Sequence, residues 1–347
     1  MTDNTNDRSG VNRRTFLKAG VSAAAALPLF GITTRYASAA EFNYKLATGQ
    51  DPTHPVNVRA QEALNRIREA TNGRLDIKLF PANQLGSDTD LLSQVRSGGV
   101  EFFNQSSAVL ATLNPVAGIV NTGFAFQNYD AVWQAMDGEL GSYIRKKIAA
   151  SGLVSVCRAW DNGFRHVTSS TREIRRPEDL KGFKIRVPQA PMLTSLFKAL
   201  EAGAAPINFN ELYSALQTKV VEGQENPLPI IATAKLYEVQ KSISLTSHVW
   251  DAYWILGNRR AWDRLPADIR AIVEREFDRA AMDERADIAK LSASLRNDLK
   301  AKGITFIDVD QSAFRAALAK TSFYSDWKAK YGEEAWSLLE AAVGKLG

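Results

Sequence analysis

The chain has 347 residues, of which 45% are hydrophobic and 23% charged, and its formal charge is +5 at neutral pH. This composition is typical of a globular protein and excludes the disordered, collagen-like and disulfide-framework classes. A net positive charge favours a nucleic-acid partner only if the cationic residues belong to the folded part of the chain.

Residues 1–39 have the pattern of an export signal. A twin-arginine motif, Asn12-Arg13-Arg14-Thr15-Phe16-Leu17-Lys18, precedes an apolar stretch from Ala19 to Phe30, which is too short for a membrane anchor. The small residues Ala37-Ser38-Ala39 then form a cleavage site. Cleavage after Ala39 removes five cations and two anions, so the remaining 308 residues carry only +2. The sequence predicts export to the periplasm by the twin-arginine pathway and no nucleic-acid partner.

Short strand-like runs alternate with helical patterns along the rest of the chain. This alternation predicts an α/β protein with largely parallel sheets. The single Cys157 lies in an apolar run, so we expect a buried thiol without an internal disulfide. The predicted strands are Tyr44–Ala47, Leu75–Phe80, Phe102–Asn104, Val154–Trp160, His166–Ser169, Lys184–Val187, Pro206–Phe209, Val220–Gly223, Ser242–Leu245, Tyr253–Gly257 and Thr305–Val309.

One segment predicts an unusually long helix. Residues 267–302 contain no glycine or proline, with Pro266 before them and Gly303 after them as start and stop signals. Apolar residues recur in this segment near the helical period. Thirty-six helical residues extend roughly 54 Å, more than the roughly 30 Å width of a small domain. We therefore predict a helix that spans two lobes, with a break near Met282–Asp287 as the alternative.

Patterns of catalysis and metal binding are scarce. His54, His166 and His248 lie far apart, and Cys157 has no second cysteine, so the sequence has no local metal-ligand spacing. The nucleophile elbow, the phosphate-binding loop and the dinucleotide fingerprint do not occur after residue 39. We expect no cofactor and no bound metal, and the sequence does not favour an enzyme.

A candidate anion site centres on Arg186. The segment Arg175–Pro188 is typical of a helical turn that is closed by Gly182 and followed by a short strand, Lys184–Val187, which Pro188 ends. Ligands of α/β proteins bind at the carboxyl ends of strands, and a guanidinium binds a carboxylate with two parallel hydrogen bonds. The pattern predicts that Arg186 binds a carboxylate, with an exposed strand arginine as the alternative.

Three further segments place polar groups at the ends of predicted elements. They are Asn162–Arg165 with a second guanidinium, Asn208–Tyr213 with an aromatic ring and a helix cap by the Asn208 side chain, and Gly223–Pro227 with an extended Asn226.

These segments resemble, in order, those of the solute-binding proteins of tripartite ATP-independent periplasmic (TRAP) transporters, the DctP family. The resemblance covers nearly all of the chain after residue 39. It implies a periplasmic-binding-protein-like α/β fold of two lobes, with crossing strands and a long lobe-spanning helix, that closes over an organic acid. The matching stretches are Phe80–Ser87, Gly163–Arg165, Lys181–Pro188, Phe209–Tyr213 with Leu216-Gln217, and Gly223–Pro227.

The resemblance also implies the division into lobes and the ligand contacts. We expect residues 40–162 and about 252–285 in the first lobe, and residues 163–251 and about 286–347 in the second. Arg186 corresponds to the arginine that binds the ligand carboxylate, and Arg165 to a second pocket arginine. The remaining predicted contacts are Asn226, Phe209, Trp160, Gln105, Ser106, His248 and Asp88.

The implied ligand is a small organic acid anion, and the implied partners are the small and large membrane subunits of a TRAP permease. A monomer is expected. The stretch Asn104–Ser107 lacks the acidic side chain of the acid-sugar-binding branch, which disfavours a sialate-like ligand. An aromatic or 2-oxo/2-hydroxy acid is favoured if half of six aromatic residues line the cleft: Phe124, Phe126, Trp160, Phe164, Trp250 and Trp254.

Other functions stay open at this point. Within the same family, the alternatives are a C4-dicarboxylate and a hexuronate. From other classes, they are a periplasmic enzyme exported by the twin-arginine pathway and the ligand-binding subunit of a sensor.

Overall fold

The computed structural model describes residues 40–347, so the twin-arginine motif and the cleavage site lie outside the described residues. Within residues 40–347, helices surround two six-stranded sheets. The strands are β1 (Phe42–Thr48), β2 (Leu75–Phe80), β3 (Phe102–Ser106), β4 (Leu153–Ser155), β5 (Trp160–Phe164), β6 (His166–Ser169), β7 (Lys184–Val187), β8 (Gly203–Pro206), β9 (Gly223–Asn226), β10 (Ser242–Ser244), β11 (Trp250–Asn258) and β12 (Thr305–Ile307).

The helices follow in the same numbering. They are α1 (Pro55–Ala70), α2 (Asp88–Ser97), α3 (Ser107–Leu110), α4 (Tyr129–Met136), α5 (Glu139–Ala150), α6 (Pro191–Ala199), α7 (Phe209–Gln217), α8 (Leu228–Thr233), α9 (Arg259–Arg264), α10 (Ala267–Ala301), α11 (Gln311–Ala319), α12 (Phe323–Tyr331) and α13 (Glu333–Val343), with 3₁₀ turns at Pro115–Asn121, Pro177–Leu180 and Leu236–Glu238.

Both sheets are mixed. The first has the order β2-β1-β3-β11-β4, and β5 pairs with the first half of β11. The second has the order β12-β10-β6-β9-β7-β8. Strand β11 is antiparallel to β3, β4 and β5, and β6 is antiparallel to β9 and β10. The α/β class is confirmed, but the prediction of largely parallel sheets is wrong. Strands β6 and β11 enter their sheets directly from the other sheet, without the helical crossover that parallel neighbours need.

Three predicted strands differ from the observed ones. The run Val154–Trp160 reaches from β4 to the first residue of β5, and Pro206–Phe209 runs from the last residue of β8 to the first residue of α7. The run Val220–Gly223 ends at the first residue of β9, whose polar residues 224–226 are buried between β6 and β7. The ends of these strands are therefore set by pairing within the sheet, and the apolar pattern of the sequence does not predict them.

The chain crosses between the sheets at three places. Arg165 alone separates β5 of the first sheet from β6 of the second, residues 245–249 join β10 to β11, and α10 leads to β12. Gly163 in β5 has a φ of 113°, and a Cβ atom there would lie 3.2 Å from Pro227 Cβ. This crossing therefore favours glycine, which adopts positive φ without strain.

Helix α10 braces both sheets. It is continuous over 35 residues, which confirms the predicted long helix without the alternative break at Met282–Asp287. Near its start, Phe277 packs in the core beside the first sheet. Near its end, Leu295 and Leu299 pack in the core beside the second sheet.

The C-terminal helices also contact both halves of the molecule. Trp327 Nε1 in α12 donates to Ser195 Oγ in α6 at 3.1 Å. Tyr143 Oη in α5 donates to Glu334 Oε2 in α13 at 2.9 Å. Among residues 40–347, no helix has the length and apolar character that a membrane crossing requires.

His54 caps helix α1 from within the core. Its Nδ1 accepts a hydrogen bond from Val56 N at 3.2 Å, and burial lowers its pKa to about 3, against a smaller opposite effect of Asp51. The neutral ring stabilises the fold fully above pH 6.5, and this stability is lost as the pH falls toward 3, because the unfolded chain binds the proton first.

Protonation of His54 in the unfolded chain should lower the free energy of unfolding by roughly 1.4 kcal/mol per pH unit between about pH 6 and 3. We expect His54→Asn, which keeps a capping acceptor, to remove this contribution. Urea unfolding of wild type and variant at pH 7 and at about pH 4.5 measures this difference. Equal pH dependence in the two proteins would contradict the burial of a neutral ring at this position.

Candidate ligand-binding site

A small cavity, with a volume of about 30 Å³, is lined by residues from both sheets. The predicted contacts that line it are Arg186, Arg165, Asn226, Phe209, Gln105, Ser106 and Asp88. Lining residues that the sequence did not predict include Gln50, Asn104, Val109, Asn162, Ile230 and Tyr253.

Strand ends bring most of these side chains together. Gln50 follows β1 and Asn104–Ser106 end β3, and the two parallel strands finish at the same edge of the first sheet. From the second sheet, Arg186 projects from β7 and Asn226 ends β9. This placement agrees with the rule that ligands of α/β proteins bind at the carboxyl ends of strands.

Helix α2 positions Asp88 at the cavity. Ser87 and Asp90 form a capping box that starts the helix, so Asp88 lies in its first turn. Asp88 Oδ1 accepts a hydrogen bond from Asn83 Nδ2 at 3.0 Å. Burial raises the pKa of Asp88 above its ordinary value, although this hydrogen bond and the charge of Arg186 act in the opposite direction. Asp88 is a half-buried acidic residue of the cavity wall.

Asn208 does not cap helix α7 through its side chain, so that prediction is wrong. Its Nδ2 instead donates to Thr89 Oγ1 of α2 at 3.3 Å. The Asn208 amide therefore links the two sides of the cleft, which leaves the adjacent Phe209 ring at the cavity.

Arg186 carries a buried positive charge without a close counter-ion. Its side chain is 1% exposed, and Nε donates to the Ile207 carbonyl oxygen at 2.9 Å. Within residues 40–347, no carboxylate lies within 4.0 Å of this guanidinium, and its two terminal nitrogens make no hydrogen bond. Burial lowers the pKa of Arg186 to about 10, although the charge of Glu225 acts to raise it.

Arg165 lines the same cavity but is already paired. Its Nη2 donates to Glu225 Oε1 at 2.8 Å and to Asn226 Oδ1 at 3.0 Å, and Nη1 lies 3.5 Å from Asp251 Oδ2. Burial alone would raise the pKa of Glu225, but the charge and hydrogen bonds of Arg165, with His248, lower it to about 2. Two carboxylates therefore neutralise the Arg165 guanidinium.

The structure does not place His248 at the cavity, contrary to the prediction. Its Nε2 lies 3.0 Å from Glu225 Oε2, and its Nδ1 lies 2.8 Å from Thr246 Oγ1. An ionised carboxylate only accepts, so the ring donates from Nε2 and accepts the Thr246 hydroxyl at Nδ1. Burial lowers the pKa of His248, against the opposing effect of Glu225. His248 therefore reaches Arg165 only through Glu225.

Trp160 also lies away from the cavity, because its ring packs in the core beside the first sheet and Nε1 donates to Cys157 Sγ at 3.3 Å. The expected burial of Cys157 is confirmed. None of the six aromatic candidates lines the cavity, so the condition that favoured an aromatic or 2-oxo/2-hydroxy acid is not met. The others lie elsewhere: Phe124, Phe126, Trp250 and Trp254 in a second core, and Phe164 at a separate cavity of about 460 Å³.

The polar lining residues that were not predicted differ in how clearly the sequence indicates them. Asn104 directly precedes Gln105, and Asn162 begins the segment that ends at Arg165. Gln50 follows the first strand, where the strand-end rule applies. Tyr253 lies within the apolar strand β11 and has no local signal. Residues 40–347 contain no group of three or more His, Cys, Asp or Glu side chains placed to hold a metal ion.

Comparison with known proteins identifies the family. The profile of DctP, the bacterial extracellular solute-binding protein family 7, matches residues 46–325. This chain is a member of the DctP family. Its relatives include the 2,3-diketo-L-gulonate-binding periplasmic protein YiaO of Escherichia coli K12, which is 31% identical over 295 residues, 85% of this chain and 88% of YiaO. An uncharacterized protein y4mM of Sinorhizobium fredii is 35% identical over 89% of this chain, which spans only 57% of that relative.

Solved structures agree with this membership of the DctP family. The sugar acid binding protein of Advenella mimigardefordensis, in complex with galactonate, has a TM-score of 0.83 and 30% identity over 88% of this chain and 98% of that one. A TRAP periplasmic solute-binding protein of Sulfurospirillum deleyianum, with bound succinate, has a TM-score of 0.82 and 27% identity over 87% and 99%. The predicted two-lobed fold and the TRAP-type solute-binding function are confirmed. Members of this family are substrate-binding transport proteins, and the relatives are periplasmic.

Proposed function

We propose that this chain is exported by the twin-arginine pathway, captures a small organic acid anion in the periplasm as a monomer, and delivers it to the two membrane subunits of a TRAP permease. It does so without catalysis. The observation that carries the proposal is the Arg186 guanidinium, which is buried at the cavity and has no carboxylate partner within residues 40–347. Burying an unpaired charge is costly, so an anion at this position stabilises the site.

The proposed first step is capture of the carboxylate by Arg186. Nε is held by the Ile207 carbonyl, which orients the guanidinium at the cavity and leaves its terminal nitrogens without a hydrogen bond among residues 40–347. A carboxylate accepts two parallel hydrogen bonds from such a fork. Because the site is buried, the attraction between the two charges is stronger than it would be in water.

The proposed second step is closure of two lobes over the anion. A cavity of about 30 Å³ has room for about two water molecules, so an organic acid enters only after the walls separate. Separation breaks the contact between Asn208 and Thr89. The crossing strands and α10 are the segments that bend. We propose residues 40–162 with about 252–285, and residues 163–251 with about 286–347, as the two lobes.

The ligands named for similar proteins support a carboxylate. They are 2,3-diketo-L-gulonate for YiaO, galactonate for the Advenella protein and succinate for the Sulfurospirillum protein. Because the six aromatic candidates do not line the cavity, we no longer favour an aromatic or 2-oxo/2-hydroxy acid over the other small organic acids. A 2-oxo or 2-hydroxy acid, a C4-dicarboxylate and a hexuronate fit the proposed function.

A thermal-shift screen tests this function. We expect at least one small organic acid to raise the melting temperature, because a ligand at about 100 times its Kd adds roughly 2.7 kcal/mol to the free energy of unfolding. The amide of the same acid is the matched control and should leave the melting temperature unchanged, since it lacks the charge that Arg186 binds. Stabilisation by the amide equal to that by the acid would contradict the proposal, as would a complete organic-acid library without a single stabilising member.

A further inference from the structure

Three buried polar atoms at the cavity have no hydrogen-bond partner among residues 40–347. They are Nδ2 and Oδ1 of Asn104 and Oδ1 of Asn162. The two side chains are 3% and 1% exposed, and both line the cavity. A buried polar group without a partner is unfavourable, because it has lost its hydrogen bonds to water. A ligand that pairs these atoms recovers that free energy, whereas a ligand that leaves them unpaired does not.

Asp251 fixes the orientation of the Asn162 amide, a side chain that lines the cavity. Asp251 Oδ2 accepts from Asn162 Nδ2 and from Ser106 Oγ, both at 2.8 Å, and Oδ1 accepts from Asn121 Nδ2 at 2.9 Å. Burial raises the pKa of Asp251, against the effect of Arg165, yet these three neighbours are all hydrogen-bond donors. Turning the Asn162 amide would place its oxygen against a carboxylate oxygen. Asn162 Oδ1 is therefore a fixed acceptor that needs a donor from the ligand.

The charges around the cavity leave one cation for the ligand. Arg165 is paired with Glu225 and Asp251, so Arg186 is the one lining cation of the described residues without a carboxylate partner. Asp88 is the only carboxylate among the described lining residues. One ligand carboxylate neutralises Arg186. A second would be buried without an unpaired cation among the described lining residues, which is costly.

We infer that Asn104 and Asn162 select for hydroxyl groups, and that the ligand is therefore a hydroxylated monocarboxylate. This inference rests on the proposed function, because it requires that Arg186 holds the ligand carboxylate. A hydroxyl donates to Asn162 Oδ1, and hydroxyls both donate to and accept from the Asn104 amide. A methylene group leaves all three atoms unpaired. An ionised carboxylate only accepts hydrogen bonds, so it pairs with Asn104 Nδ2 and leaves the two amide oxygens unpaired.

Calorimetry with acids of matched length tests this selection. The four-carbon set is D-erythronate, butanoate and succinate, and the six-carbon set is D-galactonate, hexanoate and adipate. In at least one set, we expect wild type to bind the hydroxy acid about 100-fold or more tightly than the alkyl acid and the diacid, because sites built to pair a hydroxyl strongly reject ligands that lack it.

Two variants assign the selection to these residues. We expect Asn162→Ala and Asn104→Ala each to weaken binding of the hydroxy acid by about 10- to 100-fold, and binding of the alkyl acid by less than about threefold. Asn65→Ala, at an exposed position of α1, is the matched control and should leave both affinities unchanged. Thermal unfolding establishes whether the variants are folded. If a variant is not folded, the comparison of acids on the wild-type protein still tests the inference.

The inference is overturned if the alkyl acid or the diacid binds as tightly as the hydroxy acid in both sets, or if neither hydroxy acid binds. It is also overturned if both folded variants lose affinity for hydroxy and alkyl acids alike. The proposed function fails in a different way, namely if Arg186→Met binds the preferred acid as tightly as wild type does, whichever acid that is.

Discussion

Replacement of Arg186 by methionine is expected to weaken binding of the organic acid by about 30-fold to several thousand-fold, equivalent to roughly 2–5 kcal/mol. Methionine keeps an unbranched apolar stem in β7 but removes the guanidinium of this cavity-lining residue. The ligand carboxylate then remains buried without a cation. Calorimetric measurement of Kd for the acid found by thermal-shift screening tests this result.

The same variant separates binding from folding. Because Arg186 is a buried cation without a close carboxylate, its removal should not lower the melting temperature of the protein without ligand by more than a few degrees. Arg186→Lys should also weaken binding, since a point charge does not reproduce the planar fork. Arg176→Met, at an exposed arginine before the turn Pro177–Leu180, is the control and should bind as wild type does. An unchanged Kd in Arg186→Met would refute the assignment.

Replacement of Glu225 by glutamine is expected to lower the free energy of unfolding by about 3–5 kcal/mol. The Glu225 carboxylate is fully buried and accepts hydrogen bonds from Arg165 and His248. Glutamine keeps the shape but not the charge, so Asp251, at 3.5 Å, becomes the one carboxylate within 4.0 Å of the buried Arg165 guanidinium among residues 40–347. Urea unfolding followed by circular dichroism measures the loss.

A neighbouring glutamate provides the control for this prediction. Glu222 pairs with Arg172 at 3.7 Å near the surface, so Glu222→Gln should cost less than about 1 kcal/mol.

The low pKa of Glu225, about 2, also makes the stability depend on pH. The stabilisation by the Glu225 carboxylate is complete above the ordinary pKa of 4.5 and is lost as the pH falls toward 2. Glu225→Gln should remove this part of the acid destabilisation. Equal losses at positions 222 and 225 would show that burial of the pair is not the cause.

Features with a strong local signal could be predicted from the sequence. Helix α10 is bounded by Pro266 and Gly303 and has no breaker between them, so its ends follow from residue type alone. Strand β7 matches its prediction residue for residue, since apolar residues alternate with cations and Pro188 cannot continue the ladder. The same alternation and strand end led to Arg186, which lines the cavity.

Features that depend on distant residues could not be predicted. Strand β9 is a run of polar residues that only its neighbours in the sheet make buried. The charge of Arg165 is neutralised by Glu225, which lies 60 residues away in the sequence. The roles of His248 and Trp160 are likewise set by burial, and a sequence pattern does not distinguish a ring that faces a ligand from one that packs beside the residues that do.

The crossing at Arg165 has a consequence for the use of this protein as a sensor. Because side chains alternate along an extended chain, Phe164 and His166 point away from the ligand cavity and line the separate cavity of about 460 Å³. A fluorescent dye attached at position 164 would therefore be one residue from Arg165, which lines the proposed ligand cavity, without entering that cavity. The short link between the two sheets makes this position suitable for converting the capture of an acid into an optical signal.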